Sequence, residues 1–236
     1  PPGVLRRSGR RSPRPGAGAM VDRTCSAATL TPCCFATVSR GPSDPGTLTG
    51  VTACGIMLAA GAGSRYGQPK IFARDAGGVL WLERVVAAVR AGGCSEVLVV
   101  IGAEAERARE VVSALDSVSP VVAGDWADGL SASVRAGLAA AANTDADSAV
   151  IAPVDVPGMP ASVIARVLEA GAGPASLARA SFDGRPGHPA VIGRDHWELV
   201  AASVRGDSGA NRYLATHAAL TVECADLWDG ADTDTR

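Results

Sequence analysis

From Val51 onward the chain alternates short apolar runs with stretches of helical spacing, and this alternation restricts the fold more than any other feature of the sequence. "VTACGIMLAA" reads as a buried strand. "GVLWLERVVAAVRAGG" repeats apolar residues at helical spacing and stops at paired glycines. "SEVLVVIGA" returns to consecutive apolar residues, Val97 to Ile101, as central parallel strands do. The pattern continues with a helix in "EAERAREVVSAL", a short strand in "SPVVAG", a helix in "GLSASVRAGLAAAANT", a strand in "SAVIAPVDVP" and a helix in "MPASVIARVLEAG". "GPASLARASF" and "GHPAVIGR" read as strands around a turn at "DGRPG". "RDHWELVAASV" and "SGANRYLATH" read as short helices and "ALTVECA" as a last strand. A single α/β domain over residues 51–236 follows, with a doubly wound, mostly parallel, Rossmann-like sheet.

Residues 1–50 break this pattern. "RRSGRRSPRPGAGAM" and "GPSDPGTLTG" are rich in Arg, Pro and Gly without hydrophobic period, so they are expected to form a disordered extension that buries too little apolar surface to offset its ordering entropy. The arginines are not followed by the apolar run of a secretory signal. With 47% apolar residues but only 4% aromatics, the core must be filled by Ala, Val and Leu. A formal net charge of −2 gives no overall call for nucleic acid or a membrane surface, and no apolar run approaches the ~20 residues of a membrane span. None of the six cysteines has the C-x2-C spacing of a zinc site, and free thiols in a reducing, cytoplasmic setting are expected.

The first predicted strand runs straight into "AAGAGSRYGQPK". In open α/β sheets ligands bind beyond the carboxyl ends of the strands, so this loop is the prime candidate site. Gly61, Gly63 and Gly67 permit positive φ and close backbone approach, and successive N–H groups can form a nest for anionic oxygens. Arg65 and Lys70 add the positive charge a triphosphate needs. The glycine spacing is one residue too long for a dinucleotide fingerprint, and the string lacks the G-x4-G-K-[ST] of a Walker A loop. A structural turn explains the glycines but not the two cations, and nucleotide triphosphate binding is the favoured reading.

"LAAGAGSRYGQPK" resembles the signature L-A-[AG]-G-x-[SG]-x-R-[MFY]-G-x-x-K of nucleotidyltransferases with the nucleotide-diphospho-sugar transferase fold, and within them the MobA/MocA-like branch, whose members attach a nucleotide to molybdopterin. The resemblance implies that Leu58, Ala59, Ala60 and Gly61 wrap base and ribose and that Gly63, Ser64 and Arg65, with Gly67 in the same turn, hold the phosphates. It implies that Lys70 neutralises charge on the α-phosphate and leaving pyrophosphate. Asp155 ends the strand "IAPVDVP", where a carboxylate faces the site; a plain helix cap is the bland alternative, with Ser162 nearer that helix. Asp155-Val156-Pro157 matches the family's D-x-P, which implies that Asp155 holds Mg²⁺. "AGDWADGLSASVRAGL" resembles the family segment that would put Asp125 at the nucleotide or the metal and Ser131 and Ser133 at a helix start, donating to phosphate or base. Ser131 is equally a simple cap. "DGADTDTR" resembles a D-x-D-T motif, with Asp232 and Asp234 offering a second metal contact or forming an acidic tail.

On the acceptor side, "GHP" and "GDSGA" resemble segments that line the acceptor pocket. His188 would line it; Asp207, Ser208 and Gly209 would cap the helix after them and present N–H groups to an anionic acceptor such as a pterin phosphate, and Arg212 would add charge. His196 and Trp197 are expected to pack. The Ala-Ala form of the signature resembles the cytidylyl branch, which implies CTP rather than GTP, with molybdopterin as acceptor. Two other readings stay open: an NAD(P)H-dependent reductase like the nicotine blue oxidoreductases that carry this signature, and a non-catalytic partner that passes cofactor to a molybdenum enzyme.

Overall fold

The computed structural model describes residues 50–233; the extension before Gly50, with Cys25, Cys33 and Cys34, and Asp234 at the other end lie outside the described residues. The element predicted from "VTACGIMLAA" is β1 (Ala53–Leu58), and all six of its residues are buried. They are buried because both faces of β1 are covered. Gly55 lets helix α1 (Trp81–Ala91) close on one face: a Cβ at that position would lie 2.5 Å from a Val89 methyl. On the other face helix α3 (Leu130–Ala141) approaches through Gly137, whose absent Cβ would lie 2.5 Å from a methyl of Ile56.

The remaining elements are β2 (Glu96–Ile101), α2 (Ala105–Ser113), β3 (Val118–Val122), β4 (Ser148–Pro153), α4 (Ala161–Gly171), β5 (Leu177–Phe182), β6 (Arg185–Gly193), α5 (Trp197–Ser203), α6 (Asn211–Thr216) and β7 (Leu220–Glu223). They form a seven-stranded sheet in the order β3-β2-β1-β4-β6-β5-β7. Every pairing is parallel except those of β6, which runs against both β4 and β5. The sheet is therefore mostly parallel, as the sequence predicts, with one reversed strand. The turn ahead of β6 is tighter than the predicted "DGRPG": only Asp183 and Gly184 form it, with φ of 51° and 75°, the two left-handed residues of a type I′ hairpin.

Two apolar layers flank the sheet. Val85 and Val89 of α1, Val112 of α2 and Ile164 and Val167 of α4 pack on one side. Val134 and Leu138 of α3, Val200 of α5 and Leu214 of α6 pack on the other. The described residues fall within one compact unit, Leu48–Arg236. Cys54, Cys94 and Cys224 are free and buried, and burial pushes the Cys54 thiol up to about 11 and that of Cys94 to about 12. No helix among the described residues is long and apolar enough to cross a membrane. Helix α4 begins after Pro160 without a side-chain cap, so Ser162 lies inside the helix and not at its cap.

The chain order turns around at β1. Strands β2 and β3 lie on one side of it and β4 on the other. The carboxyl ends of β1 and β4 are in register, Leu58 opposite Pro153. A crevice opens where the connections leave these two strand ends in opposite directions, and both the glycine loop and Asp155 start from it.

Candidate active site

The chain leaves β1 with its backbone tied to β2. The Ala59 N–H donates to the Val100 carbonyl (2.9 Å) and the Ala60 carbonyl accepts from Ala103 (2.9 Å). The glycine loop then folds back on itself. The N–H groups of Tyr66 and Gly67 both donate to the carbonyl of Gly63, at 2.9 and 2.8 Å, so these two amides are committed inside the loop. Gly63 and Gly67 take positive φ (62° and 88°), while Gly61 does not. The loop ends at Pro69, and Lys70 opens a single 3₁₀ turn, Lys70–Phe72, anchored by buried Ile71 and Phe72.

That turn aims Lys70 across the crevice. Its Nζ lies 2.8 Å from Oδ2 of Asp155, 85 residues further along, with the two side chains 18% and 22% exposed. Asp155 follows β4 and is held on its backbone as well: its carbonyl accepts from Thr233 (2.8 Å), and the preceding Val154 N–H donates to Leu58 (3.1 Å). The pair stands in the wall of a cavity of about 440 Å³. Leu58, Ala59, Ala60, Gly61, Gly63, Lys70, Asp155 and Asp207 of the sequence-predicted residues share that wall. Ser64, Arg65 and Gly67 are exposed on the same loop outside it.

The segment before α3 is arranged differently from expectation. Gly129, with φ of 101°, is the N-cap of α3, so Ser131 is already inside the first turn. The Ser131 N–H donates to the carbonyl of Gly206 (2.9 Å), and its hydroxyl accepts from Arg135 (3.2 Å). Arg135 also pairs with Asp125 (3.0 Å), and this hydrogen bond holds the Asp125 carboxyl below its ordinary range. Neither Asp125 nor Ser131 lines the cavity; Ser133, two residues on, does. So does Trp126, which no motif singles out; its position next to Asp125, in the same loop ahead of α3, is the one signal for it in the sequence. Trp126 packs hard against Gly102, where a Cβ would lie 2.5 Å from that of the indole. The cavity wall combines the apolar Leu58, Ala60, Trp126 and Leu130 with the charged Lys70, Asp155 and Asp207.

The five residues expected to form one acceptor pocket are divided among three clefts. Asp207 faces the main cavity, its Oδ1 only 2.5 Å from where a Cβ on Gly129 would stand. His188 lines a smaller cleft of about 250 Å³ with Asn211, Trp228 and Asp232. Ser208, Gly209 and Arg212 border a third depression of about 490 Å³ with Arg205 and Tyr213. The predicted cap is also absent: α6 starts after Ala210 without a side-chain cap, and the Ser208 hydroxyl donates to the Arg205 carbonyl (2.6 Å) instead. Burial pushes His188 below the usual histidine range, against the opposing pull of the Asp232 and Asp155 carboxylates. His196 and Trp197 pack as expected, with Trp197 Nε1 donating to Ile192 (2.8 Å) and His196 Nδ1 2.9 Å from the Tyr213 hydroxyl.

Among the described residues no three His, Cys, Asp or Glu side chains converge on a metal position. Asp155 nonetheless fits a hard cation carried by a polyphosphate. Such ions keep most of their shell as water and phosphate and take one or two carboxylates from the protein, and this carboxylate already faces a cation in Lys70.

A relative from Paenarthrobacter nicotinovorans, named nicotine blue oxidoreductase, is 34% identical over 194 residues, 77% of this chain and 91% of its own. Among solved structures, Rv0371c of Mycobacterium tuberculosis H37Rv superposes with a TM-score of 0.65 at 25% identity, covering 80% of this chain and 95% of that one. The same protein has been solved as a complex with manganese, with a TM-score of 0.58 and 21% identity over 73% of this chain and 87% of that one. A nucleotidyl transferase from Methanothermobacter thermautotroptrophicus has the same fold, with a TM-score of 0.63 and 22% identity over 79% of this chain and 93% of that one. Residues 55–221, from the middle of β1 to β7, match the MobA-like NTP transferase domain. With that match running through the glycine loop, Lys70 and Asp155, the chain belongs to the MobA-like NTP transferase domain family, enzymes that transfer a nucleotide.

Proposed function

We propose that the chain transfers a nucleoside monophosphate, CMP in preference to GMP, from its triphosphate to a molybdopterin-type acceptor, releasing pyrophosphate with Mg²⁺ as cofactor. The observation that carries this reading is the Lys70–Asp155 pair, 2.8 Å apart in the wall of a cavity that apolar side chains also line. A base and ribose suit the apolar side chains of that wall and a triphosphate the Lys70–Asp155 pair. In-line displacement at the α-phosphorus then needs positioning and charge stabilisation more than covalent chemistry from the protein. A phosphate oxygen of the acceptor forms the new P–O bond as the bond to pyrophosphate breaks, and an ionised phosphate needs no side chain to remove a proton. Lys70 neutralises the negative charge that builds on the departing group. A divalent cation on Asp155, when bound, screens the phosphate oxygens from one another. The manganese complex of Rv0371c supports a divalent ion at this fold. The Ala59-Ala60 pair supports CTP through the resemblance to the cytidylyl branch, and a molybdenum enzyme that receives the product is the implied partner.

One observation favours a second reading. The relative at 34% identity carries the name of an oxidoreductase. The two separate in one set of assays. Pyrophosphate release from CTP or GTP with Mg²⁺ and molybdopterin marks the transferase, and metal-independent NADPH oxidation with a quinoid dye marks the reductase. Asp155→Asn is expected to lower the transferase rate at least ~10³-fold and to leave NADPH oxidation intact. A variant that retains full pyrophosphate release would sink the proposal.

A further inference from the structure

We propose that Arg107, which stands outside the cavity, is a positioning residue: it clamps the 3₁₀ turn from which Lys70 projects and so fixes that lysine against the departing pyrophosphate. The proposal rests on the transferase reading, in which Lys70 acts on that group. Lys70 and Phe72 are the two ends of one three-residue turn. Its backbone bonds are few, with the Phe72 N–H donating to Pro69 (3.1 Å) and the Ala73 N–H donating to Lys70 (2.9 Å). A turn this short has little stiffness of its own, so the direction of Lys70 depends on what grips its neighbours.

The grip comes from α2. The guanidinium of Arg107 lies over the ring of buried Phe72, its Cζ 3.8 Å from the ring centre, well inside the roughly 6 Å over which a cation is drawn to an aromatic face. Arg107 is held there in turn by Glu104, whose carboxylate accepts from its Nη1 (2.9 Å). Glu104 precedes α2 with φ of 52°, a left-handed conformation uncommon for a residue other than glycine. The same segment holds the other end of the glycine loop: the Ala103 N–H donates to the Ala60 carbonyl (2.9 Å), one residue before Gly61. The start of α2 thus fixes the chain where it enters the loop and again just after it leaves, and Lys70 stands at the second point. Arg107 and Glu104 are 58% and 46% exposed, and an ion pair that open adds little to stability. Neither residue lines the cavity. The contact therefore matters through the turn it orients, since misplacing a reacting group by about 1 Å can cost on the order of 10²-fold in rate.

The test is a double-mutant cycle on the full chain, with Arg107→Ala, Lys70→Met and the two combined, read as steady-state pyrophosphate release from CTP with Mg²⁺ and molybdopterin. Arg107→Ala alone is expected to lower kcat about tenfold while the KM for CTP and the melting temperature stay close to the parent's, because an interaction that acts in the transition state shows in kcat. Arg107→Lys keeps a cation over the ring and is expected to recover part of that loss. In the Lys70→Met background the same Arg107→Ala change is expected to alter kcat less than about twofold, since residues that act through one another do not add. A merely structural role would lower the amount of active protein by the same factor in both backgrounds. Equal losses in the two backgrounds, a parent-like kcat in Arg107→Ala, or an Arg107→Lys variant no better than Arg107→Ala overturns the proposal. If the parent releases pyrophosphate and the two substitutions simply multiply, the role of Arg107 falls and the transferase reading stands. A parent that oxidises NADPH and releases no pyrophosphate removes the transferase reading, and this proposal with it.

Discussion

A methyl group at position 63 would fall 1.9 Å from the carbonyl oxygen of Gln68, in a residue whose φ is 62°. No neighbouring side chain can yield to relieve this, because the obstruction is backbone. Gly63→Ala is therefore expected to reopen the loop at a cost of about 1–3 kcal/mol and to raise the KM for CTP at least tenfold; an unchanged melting temperature and KM would show that the loop is looser than described. Lys70 presents the opposite balance. Its ion pair with Asp155 is only about one-fifth exposed on each side, so the cost of desolvating the two charges offsets much of their attraction, while removing one partner leaves the other charge uncompensated. It faces the reacting phosphates in the proposed mechanism, so Lys70→Met is expected to cut kcat/KM by roughly 10²–10³-fold, with a modest fall in melting temperature from the Asp155 carboxylate left unpaired. A large fall in melting temperature with activity retained would make Lys70 a structural residue.

The β5–β6 hairpin carries His188 toward the small cleft, and one carboxylate fastens its turn. Glu223, on β7, accepts from the Ser181 hydroxyl (2.7 Å) and from the N–H groups of Asp183 (3.0 Å) and Gly184 (3.2 Å). These bonds and one from the Ala225 N–H (3.1 Å), the Ser181 hydroxyl first, pull its pKa from 4.5 down to about 2. A carboxylate with a depressed folded-state pKa stabilises the fold fully above its unfolded value and loses that contribution as pH falls through the folded one. Glu223 thus supports the hairpin above about pH 4.5 and progressively less down to about pH 2. Glu223→Gln is expected to lower the melting temperature at neutral pH and to flatten its decline across that window, as read from thermal melts at stepped pH. Parallel acid limbs for the two proteins would refute the role. The strands of this hairpin and the Asp-Gly turn were legible from local composition. That β6 inserts between β5 and β4 was not, because this pairing joins residues about 40 positions apart.

At the scale of the molecule, the site exists because two helices close on β1 from opposite sides through Gly55 and Gly137. Gly55→Val would place a branched side chain into the space of Val89, and overpacking of this sort costs about 1–3 kcal/mol. Urea denaturation is expected to show that loss together with weaker CTP binding, since Leu58 ends the same strand and Ala59 follows it; a stability equal to the parent would mean α1 is free to retreat. The sequence by itself determined the alternation of strands and helices, the buried character of β1 and the glycine-rich loop after it. All three are local: they follow from the period of apolar residues and from the φ values glycine permits. Only the tertiary structure decided that Lys70 meets Asp155 across 85 residues, that Asp125 and Ser131 turn to Arg135, and that the expected acceptor residues separate into three clefts. Those outcomes depend on strand order and register, which bring distant residues together or part near neighbours, and no spacing along the chain encodes a distance in space.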